Sequence, residues 1–161
     1  MFGRQRDVSL IRHVNRELLG DIITQQIGYY KYKIEETYTN IYGEAIEKFL
    51  IDPVLFNCLV TRNDQVWSGD DFGSNVARNL SFAFLRDDLK DAKIIPEVGD
   101  VILYLNNYYE VDSVVENQLF VGYVPDYPYS NGLADFGTDL SFICTGVLVP
   151  SDKFGLTKER M

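Results

Sequence analysis

Residues 96–115 read PEVGDVILYLNNYYEVDSVV, and this stretch decides the fold class. Pro96-Glu97-Val98-Gly99-Asp100 brings proline, glycine and aspartate together, the chemistry of a tight turn. Residues 101–105 continue as an apolar strand. Asn106-Asn107 is a second turn, because asparagine tolerates positive φ. Residues 108–115 form the return strand. A turn at Glu116-Asn117 leads to a further strand at 118–123. The block reads as a three-stranded antiparallel meander with short connections.

The same alternation extends outward. Leu80, Phe82 and Phe84 alternate with Ser81, Ala83 and Leu85, which predicts a strand before the short polar helical turn RDDLKDAK at 86–93. Residues 64–75 are rich in Asp, Gly and Ser and read as a loop, and 56–62 (FNCLVTR) as a strand after Pro53. NIYGE at 40–44 is a turn. Tyr30, Tyr32 and Ile34 alternate with Lys31, Lys33 and Glu35 in another strand. Residues 8–27 change period. Val8, Ile11, Val14, Leu18, Ile22 and Ile23 recur at three- and four-residue steps, with Arg12, Asn15, Arg16 and Asp21 between them. This predicts an amphipathic helix with Asp7 as N-cap and Gly28 near its stop. On the C-terminal side, 124–137 is a loop, 139–149 a last strand and 151–161 an exposed tail.

About seven strands and one long helix predict a mainly β (α+β) chain, an antiparallel β-sandwich or small β-barrel with an N-terminal amphipathic helix. A length of 161 residues fits one domain. Residues 1–28 would be the N-terminal arm and helix, 29–149 the body and 150–161 the tail. With 46% hydrophobic and 24% charged residues, the composition excludes wholesale disorder. No apolar run approaches the roughly 18–20 residues of a membrane-spanning helix. The N-terminal stretch is basic and then amphipathic, unlike a secretory signal. Cys58 and Cys144 fall in predicted strands and match no zinc or disulfide spacing, so they read as core thiols of a reduced, cytosolic setting.

Net charge is −9, unevenly spread. Residues 1–33 hold six basic and three acidic residues, and the remainder nine basic and 21 acidic. An acidic body repels a phosphate backbone, which argues against groove binding of nucleic acid. The basic N-terminal portion suits an acidic partner surface. Signals for catalysis are sparse. The single histidine, His13, stands four residues before Glu17, a local helix pair. The pairs Asp70-Asp71 and Asp87-Asp88 offer carboxylates without a metal-loop spacing, and no phosphate-cradling glycine motif occurs. No metal or cofactor is expected. Tyrosine is abundant, at 11 residues, and Tyr127 and Tyr129 sit in a predicted loop, where a half-buried sheet does not account for them.

The block at 96–115 resembles the signature turn-and-hairpin of neck, or head-closure (stopper), proteins of T-even-like contractile-tailed bacteriophages, including those of marine cyanobacteria. The likeness takes in the helix near 10–26, the strand at 29–33, the YGE turn at 42–44, FLRDDL at 84–89 and the TKER tail at 157–160. It implies a structural virion protein with no catalytic role, made in the host cytoplasm. Copies of the chain would form a ring, commonly a hexamer, between portal and adaptor proteins above and tail-terminator or tail proteins below. Genomic DNA would pass through the ring's channel without sequence-specific binding, and no membrane is involved. Interface candidates are Arg4, Arg6, Arg12 and Arg16 towards an acidic neighbour, with Tyr127, Tyr129, Lys158 and Arg160 as loop and tail contacts. A tail-terminator, tail-completion or baseplate subunit is the alternative within the particle. A small-ligand-binding β-barrel, or an enzyme using Asp70, Asp71 or His13, is the alternative outside it.

Overall fold

A computed structural model describes residues 5–33, 50–62, 66–70, 73–116 and 140–154. The chain is mainly β. Helix α1 spans Gln5–Glu17 and continues as a π-helical segment over Leu18–Ile23. The strands are β1 Gln26–Tyr30, β2 Val54–Asn57, β3 Leu59–Arg62, β4 Val66–Asp70, β5 Gly73–Ala77, β6 Asn79–Leu85, β7 Val101–Tyr104, β8 Asn107–Val115 and β9 Ser141–Val149. Helix α2 covers Arg86–Ala92 between β6 and β7, and a 3-10 turn follows β9 at Ser151–Phe154.

Seven strands form one antiparallel sheet in the order β2-β1-β7-β8-β9-β6-β3. Its two outermost strands are consecutive in the chain, with only Cys58 between them. The sheet must therefore curl until its edges approach at one residue, which makes it an open barrel rather than a flat layer. Gln25 bridges the gap. Its carbonyl accepts from the Cys58 N–H at 2.9 Å and its side-chain oxygen from the Val60 N–H at 3.0 Å. The stretch expected as one strand at 56–62 is thus two half-strands serving opposite edges.

The interior is lined by alternate residues of these strands: Ile27 and Tyr29, Phe56, Phe82 and Phe84, Ile102, Val111, Phe142 and Cys144. Tyr29, Phe56 and Phe84 meet edge to face at centroid separations of 6.0–6.1 Å, the geometry that aromatic quadrupoles favour. Gly146 is needed for space. A Cβ there would lie 3.0 Å from Tyr109 Cβ and 3.1 Å from the Phe82 ring. A second cluster forms on the other face of β7 and β8, where Phe154 packs on Val101 and Tyr108. The tail expected to be exposed from 151 onward is therefore anchored at Phe154, which is 5% exposed.

Other expectations are corrected. Residues 8–27 are not one helix. It already includes Gln5, so Asp7 lies within it rather than capping it. It ends at Thr24, which takes a left-handed conformation (φ 49°) and donates its N–H to Leu19 O at 3.0 Å. The β-branched run Ile22-Ile23-Thr24 favours this early exit. Gly28 is no stop signal but the buried centre of β1, facing Leu103. The predicted loop at 64–75 is largely the hairpin β4–β5, in register from Val66↔Ala77 to Asp70↔Gly73. Backbone pairing needs little from side chains, so a Gly/Ser/Asp composition hides it. The far neighbour of β8 is β9, paired from Tyr108↔Val149 to Val115↔Ile143, so the place expected for 118–123 is occupied. Residues 118–123 themselves, like the turn at 40–44, lie outside the described residues.

The β7–β8 turn is one residue earlier than expected. Tyr104 pairs with Asn107, and the two central residues Leu105 and Asn106 both have positive φ, 47° and 62°. This is the hairpin turn whose twist matches the strands, and a leucine in it is strained by about 1–2 kcal/mol. Leu105 is exposed and has little packing to lose. Leu105→Gly is therefore expected to stabilise the fold by roughly 0.5–1 kcal/mol after the entropy cost of glycine, a rise of about 1–4 °C in Tm by calorimetry. A fall in Tm would contradict the turn geometry.

Candidate functional site

The turn that decides the fold converges on one carboxylate. Asp100 is 1% exposed and follows Gly99, whose φ of 96° only glycine adopts readily. One carboxylate oxygen accepts from the Tyr29 hydroxyl, from the Glu97 N–H at 2.9 Å and from the Lys31 ammonium at 3.0 Å. The other accepts from the Tyr32 N–H at 2.9 Å. Lys31 also donates to Ile95 O and to Glu97 Oε2, both at 2.8 Å. The aspartate pins the 96–99 turn to the end of β1. Burial, reinforced by the Asp100 carboxylate, pushes the Tyr29 hydroxyl well above the usual phenol range. With every oxygen occupied from within, this centre serves structure.

The candidate site for contact with other molecules is α1. At about 100° per residue, Leu10, Val14 and Leu18 form one row, and Arg12 and Arg16 lie about 200° round from it. The arginines face α2. Arg16 meets Asp91 at 2.8 Å and Asp88 at 3.0 Å, and Arg12 reaches Asp87 at 4.0 Å. Burial raises the Asp88 carboxyl above its ordinary value and Arg16 pulls it part of the way back. Hydrogen bonding to Asp91 and attraction to Asp88 raise Arg16 in turn. The apolar row faces outward instead: Leu10 is 61% exposed, Val14 50% and Leu18 40%, and Ile22 beyond them is 74% exposed. Within the π-helical extension Leu19 is buried. Of the face expected from the sequence, Val14, Leu18 and Ile22 are exposed, while Ile11 and Ile23 are half-buried.

The other candidates fall as follows. Arg6 is exposed on α1, while Arg4, Tyr127, Tyr129, Lys158 and Arg160 lie outside the described residues. His13 sits 3.2 Å from Glu17, both largely exposed, as the four-residue spacing predicts. Asp87 and Asp88 belong to the ionic seam with α1. Asp70 closes the β4 side of a hairpin opposite Gly73, and Asp71 lies outside the described residues. Among the described residues, no group of three or more His, Cys, Asp or Glu is placed to hold a metal ion. Cys58 and Cys144 are free, fully buried thiols, each raised to about 12 by desolvation. No described helix is long and apolar enough to cross a membrane. No protein-family model matches the chain, and no curated protein matches it.

Proposed function

We propose that the chain is a structural, non-catalytic subunit of a contractile-tailed phage neck, assembled as a ring that joins the portal side of the head to the tail. The observation that carries this reading is the outward apolar row of α1. A helix whose polar face is neutralised by its own chain and whose Leu10, Val14, Leu18 and Ile22 face solvent is built for a protein neighbour. The turn-and-hairpin at 96–115, with its likeness to head-closure proteins, gives the finer assignment. Around a ring, each subunit must present two different complementary surfaces. The acidic chain, at −9 overall, suits a channel that lets DNA slide past without a binding minimum.

Cryo-electron microscopy of intact virions, focused on the head–tail junction, tests the assignment. Density for the chain in a ring between adaptor and tail supports it. A position further down the tail replaces it with a terminator or baseplate role, and absence from the particle overturns it. A second expected outcome concerns the row itself. Val14→Asp with Leu18→Asp leaves the thermal midpoint of the isolated chain within about 2 °C, because both residues are exposed. Incorporation into particles, read by quantitative mass spectrometry, falls at least about ten-fold, as expected for charge in an apolar interface. Unchanged incorporation would show that the row faces no neighbour.

A further inference from the structure

The inward-facing residues of the barrel wall change character at one end. Along β3 the inward phase runs Cys58, Val60, Arg62, and along β6 it runs Phe84, Phe82, Leu80 and then Arg78 just before the strand. On β7 and β8 the same phase reaches Tyr104 and Tyr109. These four residues, with Asn79 and Asn107, line one cavity of about 210 Å³ at the mouth of the barrel. In a chain of 24 acids and 15 bases, both arginines at this mouth lack an acidic partner among the described residues. Both lie near enough to the Tyr109 hydroxyl to oppose the effect of its burial, which raises it. On the same wall, Asn79 Oδ1 is buried without a hydrogen-bond partner among the described residues. Two fork-shaped cations near the Tyr109 phenol, with Tyr104 on the same wall at the rim of an apolar interior, form an oxyanion receptor.

We propose that this mouth binds a small oxyanion group, a carboxylate or a phosphate, held between Arg62 and Arg78 and oriented by Tyr104 and Tyr109. The site is independent of α1 and of ring formation, so its fate and that of the neck assignment are separable.

The test follows the guanidinium Nε–Hε signals of Arg62 and Arg78 by NMR in the full chain, at constant ionic strength held with chloride. One probe is inorganic phosphate, which represents a free oxyanion. The other is N-acetylaspartate N-methylamide, which represents an acidic side chain on a peptide. The expected result is saturable shifts of both arginines with at least one probe, and at least a ten-fold weaker affinity in Arg62→Gln/Arg78→Gln. Both side chains are exposed, so the thermal midpoint of the double variant serves as the folding control. Tighter binding of the aspartate derivative identifies an acidic segment of another protein as the source, and tighter binding of phosphate a free ligand. Linear, unsaturated shifts with both probes overturn the proposal. So does undiminished affinity in a folded double variant.

Discussion

Asp100→Ala is expected to lower stability by about 3–5 kcal/mol, the range for leaving one partner of a buried ion pair uncompensated. Four donors lose their acceptor at once: the Tyr29 hydroxyl, the Lys31 ammonium and the backbone N–H groups of Glu97 and Tyr32. Lys31 keeps Glu97 and the Ile95 carbonyl, which limits the damage on its side. The buried Tyr29 phenol loses the carboxylate to which it donates. Against a total stability of about 5–15 kcal/mol for a domain, this is a large fraction. Chemical denaturation reads it as a shift of midpoint at constant slope. Asp100→Asn is expected to fall between, because its amide oxygen can serve three of the donors while its NH₂ meets the fourth donor head on. Asp91→Asn, which touches only the exposed seam with Arg16, is expected to cost less than about 1 kcal/mol. Equal losses in all three variants would show that Asp100 is not the centre of the turn.

Alkaline pH is expected to unfold the chain earlier than its surface composition suggests. The thiols of Cys58 and Cys144 ionise at about 12 in the folded chain against an ordinary value near 9. Between pH 9 and 12 the unfolded chain therefore binds fewer protons than the folded one, so stability falls as pH rises. Below pH 9 both states keep the protons and the contribution is flat. The limiting slope is about 1.4 kcal/mol per pH unit for each thiol. Tyr29, also raised by burial, adds to the fall above its ordinary value of 10. Denaturation midpoints taken from pH 7.5 to 10.5 are expected to hold level to about pH 8.5 and then drop. At pH 8 the folded chain should react with a thiol reagent at least about 10³-fold more slowly than the unfolded chain, as the thiolate fraction dictates. Rapid labelling of either cysteine in the native state would overturn its placement in the core.

Much of the architecture was legible in the residues. The alternation of Leu80, Phe82 and Phe84 sets their face of β6 inward, where all three are buried, and the block at 96–115 yields β7, its turn and β8. Local pattern carries such information because strand faces repeat every two residues. What failed was non-local. Glycine-aspartate marked a turn, but nothing nearby shows that Asp100 is a hub, since Tyr29 and Lys31 lie about 70 residues away. The period of α1 revealed an apolar row without revealing which way it points. A hydrophobic pattern gives a helix two faces and leaves the choice of inside to its neighbours, here three aspartates of α2 that hold Arg12 and Arg16. Arg62 and Arg78 belong to no motif, but the strand period carries a signal for them. Each continues the inward phase of its strand, two residues beyond Val60 and two before Leu80, which places both at the same mouth of the barrel.

The short segment from Val54 to Arg62, divided at Cys58 between the two edges of the sheet, also governs the route by which the barrel assembles. Its second half joins β6 at the base of a hairpin, a contact between near neighbours in the chain. Its first half has to wait for β1, whose own place is against β7, more than 70 residues away along the chain. Loop closure over such a distance is slow compared with forming a hairpin. The barrel is closed by two long-range pairings, β6 with β9 and β1 with β7, and the short-range β7–β8 and β4–β5 hairpins are expected to form ahead of both. Until β1 docks, the half-strand at 54–57 and the edge of β7 stay unpaired, which makes the incomplete barrel, rather than the finished one, the form most exposed to strand-to-strand aggregation.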